Sequence, residues 1–248
     1  MIGAGDFLMA TGHVKALHEA SGRPVLVVDR MGRPQWHTVF ENNPRILREQ
    51  HRNGQRYLNS GGARPYIVGK SPTHWQWRRY EPLLGEIYFS ASEEEFAAPH
   101  AGHILIEPNT KVPTSNKAWI WERWQEVVNR GGSFIQVGSE GSRRLDGVQF
   151  VETANVRMAA AVLAVSRAYV GAEGFLHHAA AALGVPAVVV FGGFISPAVT
   201  GYKMHRNLYK GGSELGCGSR MQCAHCRAAM DSISVDEVDR NLKEILAC

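Results

Sequence analysis

Cysteine is scarce in this chain and confined to one end: of 248 residues only Cys217, Cys223, Cys226 and Cys248 carry a thiol. Four clustered cysteines do not read as the disulfide framework of a small secreted domain. Long apolar runs are lacking too, and none approaches the roughly 18 residues that cross a bilayer. The opening Met1-Ile2-Gly3-Ala4-Gly5-Asp6 has neither the basic nor the apolar region of a signal peptide, so a cytoplasmic location is expected. Acids are few where bases are many. From Arg23 to Arg79, three acids face eleven Lys/Arg, a local excess of +8 (11 − 3) that the net charge of +4 conceals. Trp36, Tyr57, Tyr66, Trp75, Trp77 and Tyr80 are interleaved with them. Such a surface suits an anionic partner: a phosphorylated lipid or sugar, an acidic membrane surface, or nucleic acid. A solvated basic face is the plainer reading.

What is present is a rhythm of short apolar runs and helical stretches, with no internal repeat. Gly3-Ala4-Gly5-Asp6 leads into an amphipathic stretch from Phe7 to Ala20, stopped by Gly22-Arg23-Pro24, and Val25-Leu26-Val27-Val28 reads as a buried strand. Met1-Ile2 is too short to form the strand expected before Gly3, so either the sheet lacks that strand or the true start lies upstream. From Gly32 to Leu84 the pattern is irregular; a helix near Pro44 to Asn53 and strands at Pro65–Val68 and Gly85–Phe89 are expected. Glu93-Glu94-Glu95 and Pro99 read as a linker. Beyond it strands at Ile104–Ile106, Ser133–Val137 and Gly147–Val151 alternate with helices at Trp119–Arg130 and Asn155–Arg167. An α/β fold with parallel, helix-covered sheets follows. It divides into an N-terminal unit (1–100) and a C-terminal unit (101–248), with the last helix, 234–247, expected to pack back on the N-terminal unit.

The stretch from Val170 to Gly193 organises the rest. It reads as strand, acidic-glycine turn, alanine-rich helix, glycine stop and second strand, closed by Phe191-Gly192-Gly193. The turn at Glu173-Gly174 leaves free N–H groups at a helix start, an anion seat. His177 and His178 are adjacent, so one is expected to pack and the other to line a cleft; their spacing does not make a two-histidine metal site. Gly3-x-Gly5 is a poor dinucleotide fingerprint, since Leu8 stands where a third glycine belongs. Asp6 reads either as the cap of the following helix or as a carboxylate able to take a proton from a hydroxyl. Lys117, just before a helix, can reach a phosphate above the sheet. Trp119, Trp121 and Trp124 read as packing on that helix. Cys217, Cys223 and Cys226, completed by His205 and with His225 inside the pair, could hold zinc, but free or reversibly oxidised thiols are the preferred reading.

In order, these pieces resemble glycosyltransferase family 9, the ADP-heptose:lipopolysaccharide heptosyltransferases and their relatives. Gly3-Ala4-Gly5-Asp6-Phe7-Leu8-Met9-Ala10-Thr11 is similar to the family's opening loop and helix. Asn116-Lys117-Ala118-Trp119 with Trp124 resembles its lysine–tryptophan segment, and Glu173 to Pro186 with Phe191-Gly192 and Pro197 resembles its Asp-Thr-Gly motif and the alanine helix after it.

The resemblance implies a GT-B fold, two Rossmann-like domains facing a cleft, here with a reduced N-terminal domain. It also implies an inverting, metal-independent transfer of a sugar from a nucleotide-diphosphate donor, an ADP-sugar foremost. The acceptor would be a hydroxyl of an anionic glycan or glycolipid such as lipopolysaccharide core, reached with peripheral contact at the inner membrane. On that resemblance Asp6 is the general base and Lys117 neutralises the donor phosphates. Glu173, Gly174, Phe175, His177, His178, Gly192 and Gly193 bind the donor, and Gly5 and Thr11 lie on the acceptor side.

Two departures stand out: Glu173-Gly174-Phe175 replaces Asp-Thr-Gly, and no acid near Arg157-Met158 offers a ribose contact. The alternative is a non-catalytic relative that binds a nucleotide sugar or nucleic acid.

Overall fold

A computed structural model describes residues 3–59, 65–110 and 116–247. Met1 and Ile2, on which a strand before Gly3 depends, lie outside the described residues, as do Arg64, Thr114, Ser115 and Cys248. The chain opens with helix α1 (Ala4–Ser21), ended by Gly22 in the left-handed conformation, φ 67°. Asp6 is not the cap of this helix. It lies inside the first turn, and its Oδ2 accepts the Gly3 N–H at 3.0 Å, the helix beginning three residues earlier than the apolar pattern indicates. Strands β1 (Val25–Val28), β2 (Ile46–Leu47) and β3 (Gln55–Leu58) form a parallel sheet of order β2-β1-β3. The expected helix over 44–53 is therefore absent: Arg45 O receives the Val25 N–H and Ile46–Leu47 pair with β1.

β4 (Ile67–Lys70) and β5 (Trp75–Trp77) make an antiparallel hairpin. The expected strand at 85–89 does not form. Its backbone is bonded to side chains instead of a ladder, with the Glu86 N–H on Thr11 Oγ1 at 2.6 Å and the Tyr88 carbonyl on Arg157. The expected linker is a helix, α2 (Ala91–Ala97): Ser90 Oγ accepts the Glu93 N–H and the Glu93 carboxylate returns to the Ser90 N–H, a capping box in a run that looks merely acidic.

The second sheet is larger and wholly parallel. Its elements are β6 (Ile104–Glu107), α3 (Trp121–Asn129), β7 (Phe134–Gly138), β8 (Gln149–Glu152), α4 (Val156–Ala164), β9 (Ala168–Ala172), α5 (Phe175–Leu183), β10 (Ala187–Phe191), α6 (Pro197–Thr200) and β11 (Arg206–Tyr209). α7 (Ala224–Asp231) and α8 (Val235–Leu246) close the chain. The order β11-β10-β9-β6-β7-β8 runs outward in both directions from the β9/β6 pair. That pair is a topological switch point, where connections leave to opposite sides and open a crevice at the strands' carboxyl ends. On one face α4 and α5 pack with Leu8 of α1 and Ala97 of α2; on the other lie Trp119, Trp124 and α8. Among the described residues α8 packs on α3, β9 and β10 and not on the core of the N-terminal unit, because Val235, Val238 and Leu242 join the core of the second sheet. Trp119 and Trp124 are packing residues, their rings 4.6 Å apart and nearly perpendicular.

One buried cation joins the parts. Arg157, at the start of α4 and 2% exposed, forms a two-pronged bond to Glu93 (2.7 and 2.6 Å) and donates to the carbonyls of Tyr88, Thr38 and Glu41. Removing one partner of such a pair leaves an uncompensated buried charge, at a cost of about 3–5 kcal/mol. Arg157→Met leaves Glu93 and three carbonyls without their donor, so urea denaturation is expected to show a loss of that order; a loss below about 1 kcal/mol would contradict the role given to Arg157.

Candidate active site

The crevice at the switch point is a cleft of about 620 Å³. One wall is the start of α1, Gly3 to Asp6, with Tyr66 and Trp75 beside it; the other holds Lys117, Glu173 to Leu176 and His178. Asp6 is clamped at both carboxylate oxygens, by the Gly3 N–H and by the Tyr66 hydroxyl, which donates to Oδ1 at 2.8 Å. This orientation is set by the short reach from the first turn of α1 to the segment preceding the hairpin. Gly5 allows the close approach of the two walls: a Cβ there would lie 2.8 Å from His178 Cδ2.

On the facing wall Lys117 makes an ion pair with Glu173, whose side chain is 6% exposed against 30% for the lysine. Burial pushes the Glu173 carboxyl upward, but Lys117 and then His178 outweigh it and hold the group below the ordinary carboxylate range. His178 Nε2 stands 3.8 Å from the other Glu173 oxygen, and its Nδ1 is 3.0 Å from the Tyr202 hydroxyl. Glu173 therefore stays an anion that fixes a protonated lysine beside the first turn of α5, where free N–H groups emerge. Gly174 precedes that turn in extended conformation, and a Cβ on it would meet nothing nearer than Ala172 O at 4.0 Å. The space in front of it is open to the cleft.

Several expected site residues fall elsewhere. His177 is sealed below the cleft against Phe191, Tyr202 and His205, and both of its ring nitrogens are without partners among the described residues. Thr11 is buried and bridges Leu8 O to the Glu86 N–H, which makes it structural. Gly192 packs on Asn116 and Met230, Gly193 on His225 and Cys226; Phe194, the next residue, is what reaches the cleft, with Lys117 Nζ 5.4 Å from its ring. His205 does not join the thiols. It packs against His177 and Tyr202, while His225 stands with Cys217, Cys223 and Cys226. Arg157, in place of the absent ribose acid, is consumed by Glu93. Nor is the basic stretch one open patch: Arg33 pairs with Asp29, Arg45 with Glu86, Arg79 with Glu214.

Among residues the sequence reading missed, Glu107 is foremost. It ends β6 at the switch point, and Oε1 accepts the Asn109 N–H at 2.6 Å. Its carboxyl is enclosed, although the residue as a whole is only half-buried, and burial drives it from 4.5 up to about 8 against the pull of the Asn109 amide. On the donor-side wall the cleft thus holds a carboxylate, Glu173, and a neutral carboxylic acid, Glu107. The signal available was position: an acid as the last residue of an apolar strand, followed by proline.

These groups tie stability to pH. Between about 4.5 and 8 the unfolded chain has lost the Glu107 proton while the folded chain keeps it, so stability falls as pH rises through that window. Buried His177, held well below 6.5 by burial and by His178, acts oppositely, destabilising the fold as pH falls below 6.5. Glu107→Gln is expected to raise the melting temperature at pH 8 by several degrees, about 2–4 °C per kcal/mol for a chain of this size, with little change at pH 5. An equal shift at both pH values would rule out the neutral acid.

No family model and no curated protein matches the chain. Solved structures do. The glycosyl transferase family 9 protein of Veillonella parvula superposes with a TM-score of 0.65 at 13% identity, over 100% of this chain and 95% of that one. The iron-containing dodecameric glycosyltransferase TibC of enterotoxigenic Escherichia coli gives 0.64 at 13%, over 100% and 77%. ADP-heptose lipopolysaccharide heptosyltransferase II of E. coli gives 0.50 at 18%, over 68% of this chain and 55% of its own length, so this chain spans about half of that enzyme. At these identities the likeness is one of architecture: the chain has the GT-B-like fold of family 9 glycosyltransferase structures.

Proposed function

We propose that the chain is a glycosyltransferase that moves a sugar from a nucleotide-diphosphate donor to a hydroxyl, with residues 1–100 on the acceptor side and 101–248 on the donor side. The observation that carries this reading is the placement of a clamped carboxylate, Asp6, and a lysine at a helix N-terminus, Lys117 at α5, on the two walls of one cleft. The fold shared with known glycosyltransferases supports it.

Asp6 takes the proton of the acceptor hydroxyl as that oxygen attacks the anomeric carbon. The bond to the diphosphate breaks on the opposite side, and the charge gathering on the leaving oxygen is met by Lys117 and the α5 N–H groups, which stabilise it most in the transition state. Attack and departure on opposite faces give inversion. No metal enters this step as written. Glu173 positions Lys117, and the neutral Glu107 offers a hydrogen-bond donor to the same anionic ligand. An ADP-sugar is the donor this reading favours, heptosyltransferase II being a fold neighbour whose name includes ADP-heptose. An anionic glycan or glycolipid such as lipopolysaccharide core, presented at the inner membrane, suits the basic N-terminal unit.

Asp6→Asn is expected to lower transfer from an ADP-sugar by about 10²–10⁴-fold with the thermal shift by ADP unchanged. Undiminished transfer would remove Asp6 as the base, and an ADP shift with no transfer by the parent chain would make this a binding module. Gly174→Ala adds a methyl group to a space the fold leaves open, so the melting temperature should hold while affinity for ADP falls about tenfold or more in calorimetry. Unchanged affinity would place the diphosphate elsewhere.

A further inference from the structure

A second cluster of reactive side chains lies behind the cleft wall, in the loop after β11 and the first turn of α7. Cys217, Cys223, His225 and Cys226 each bring one donor atom within 4.8 Å of all the others. Cys217 Sγ and Cys226 Sγ are 3.2 Å apart, and all three cysteines are free. Two sulfurs bound tetrahedrally at about 2.3 Å from one ion stand roughly 3.8 Å apart, so only a small adjustment separates this arrangement from a ligand set.

Three further features point the same way. His225 Nε2 is 2.6 Å from the Gly211 carbonyl. A carbonyl only accepts, so Nε2 carries the proton and Nδ1 keeps the lone pair, the tautomer and orientation that a metal-binding imidazole takes from its outer partner. The Ser219 N–H donates to Cys217 Sγ at 3.4 Å, which orients that sulfur. Cys223 stands at the N-cap of α7, which holds its sulfur beside those of Cys217 and Cys226.

The cluster is tied to the cleft through backbone. Cys217 N–H donates to Gly193 O at 2.8 Å and Gly218 N–H to Phe194 O at 2.9 Å, while Trp75 N–H donates to Gly218 O at 2.9 Å. Trp77 Nε1 also reaches Phe194 O, at 3.0 Å. Phe194 and Trp75 line the cleft. We propose that Cys217, Cys223, Cys226 and His225 Nδ1 form a tetrahedral structural centre for a thiophilic divalent cation, Zn²⁺ foremost, which pins the Phe194–Trp75 wall of the cleft. Three sulfurs and one imidazole make a closed shell with no position left for substrate, the mark of a structural site. Metal binding here is independent of what the cleft accepts.

The test is metal analysis of the full chain produced in zinc-supplemented medium and purified without chelator. About one equivalent of metal per chain is expected, and exchange with Co²⁺ should give the intense thiolate-to-cobalt charge-transfer absorption. Cys226→Ser and His225→Ala should each fall below about a tenth of an equivalent, with Cys248→Ser unaffected. Iron in place of zinc would support the centre and change only the ion. A folded wild-type chain that carries less than about a tenth of an equivalent and gives no charge-transfer band on Co²⁺ titration would overturn it, whether or not the variants fold. For the wall, stripping the metal should red-shift tryptophan emission in the wild type and not in Trp75→Phe; an emission spectrum unmoved by metal loss would overturn that part. None of these readouts uses a sugar donor, so a failure here leaves the transferase reading standing, and a failed transfer assay leaves the metal centre standing.

Discussion

The structure depends on a charge placed where charges are expensive. Arg157 lies in the interior, and it is tolerable there only because a carboxylate and three carbonyls surround it. Those partners come from α2, from the segment before it and from the turn around Thr38–Glu41, so one guanidinium fixes the first half of the chain against the second sheet. The cleft between them inherits that fixed geometry. Hydrophobic packing alone would hold the halves together without specifying their relative register, whereas five directed hydrogen bonds leave no such latitude.

Within the cleft the same economy recurs at smaller scale. Burial pushes the Glu173 carboxyl upward, and Lys117 and then His178 outweigh it and hold it below the ordinary range. Glu107, with no cation beside it among the described residues and only Asn109 donating to it, takes the neutral form. Two acids at the ends of adjacent parallel strands thus differ in charge because one was given a cation and the other was not. In the proposed transfer the cation so held would meet the donor phosphate, with the helix start beside it.

Much of this was legible beforehand, and the reasons are specific. From Ile104 to Phe191 the central strands β6, β9 and β10 are largely apolar runs of four or five residues, and α4 and α5 start at Asn155 and Gly174, so periodicity and punctuation agree. Asp6, Lys117 and Glu173 stood out by motif, and the fold brings all three to one cleft. The stretch from 32 to 103 was opaque because its order comes from contacts distant in sequence. β2 has two residues, residues 85–89 are extended without a ladder, and the acidic run hides a capping box whose anchor, Arg157, lies 64 residues away. Glu107, Tyr66 and Phe194 were missed for a related reason: each acquires its role from a neighbour on another element. His225 was passed over for His205 because spacing along the chain says nothing about which imidazole the loop after β11 turns toward the thiols.

The contact between Gly5 and His178 carries a consequence for the lineage of this protein. The two residues are far apart in the sequence, yet the first turn of the helix that holds one leaves no room for a methyl group against the ring of the other. Neither position is free to drift alone. Among descendants and cousins of this chain a larger residue at position 5 should be found only where position 178 has become smaller, so the closeness of the two walls would be written as a paired history of substitutions long before any coordinates were known.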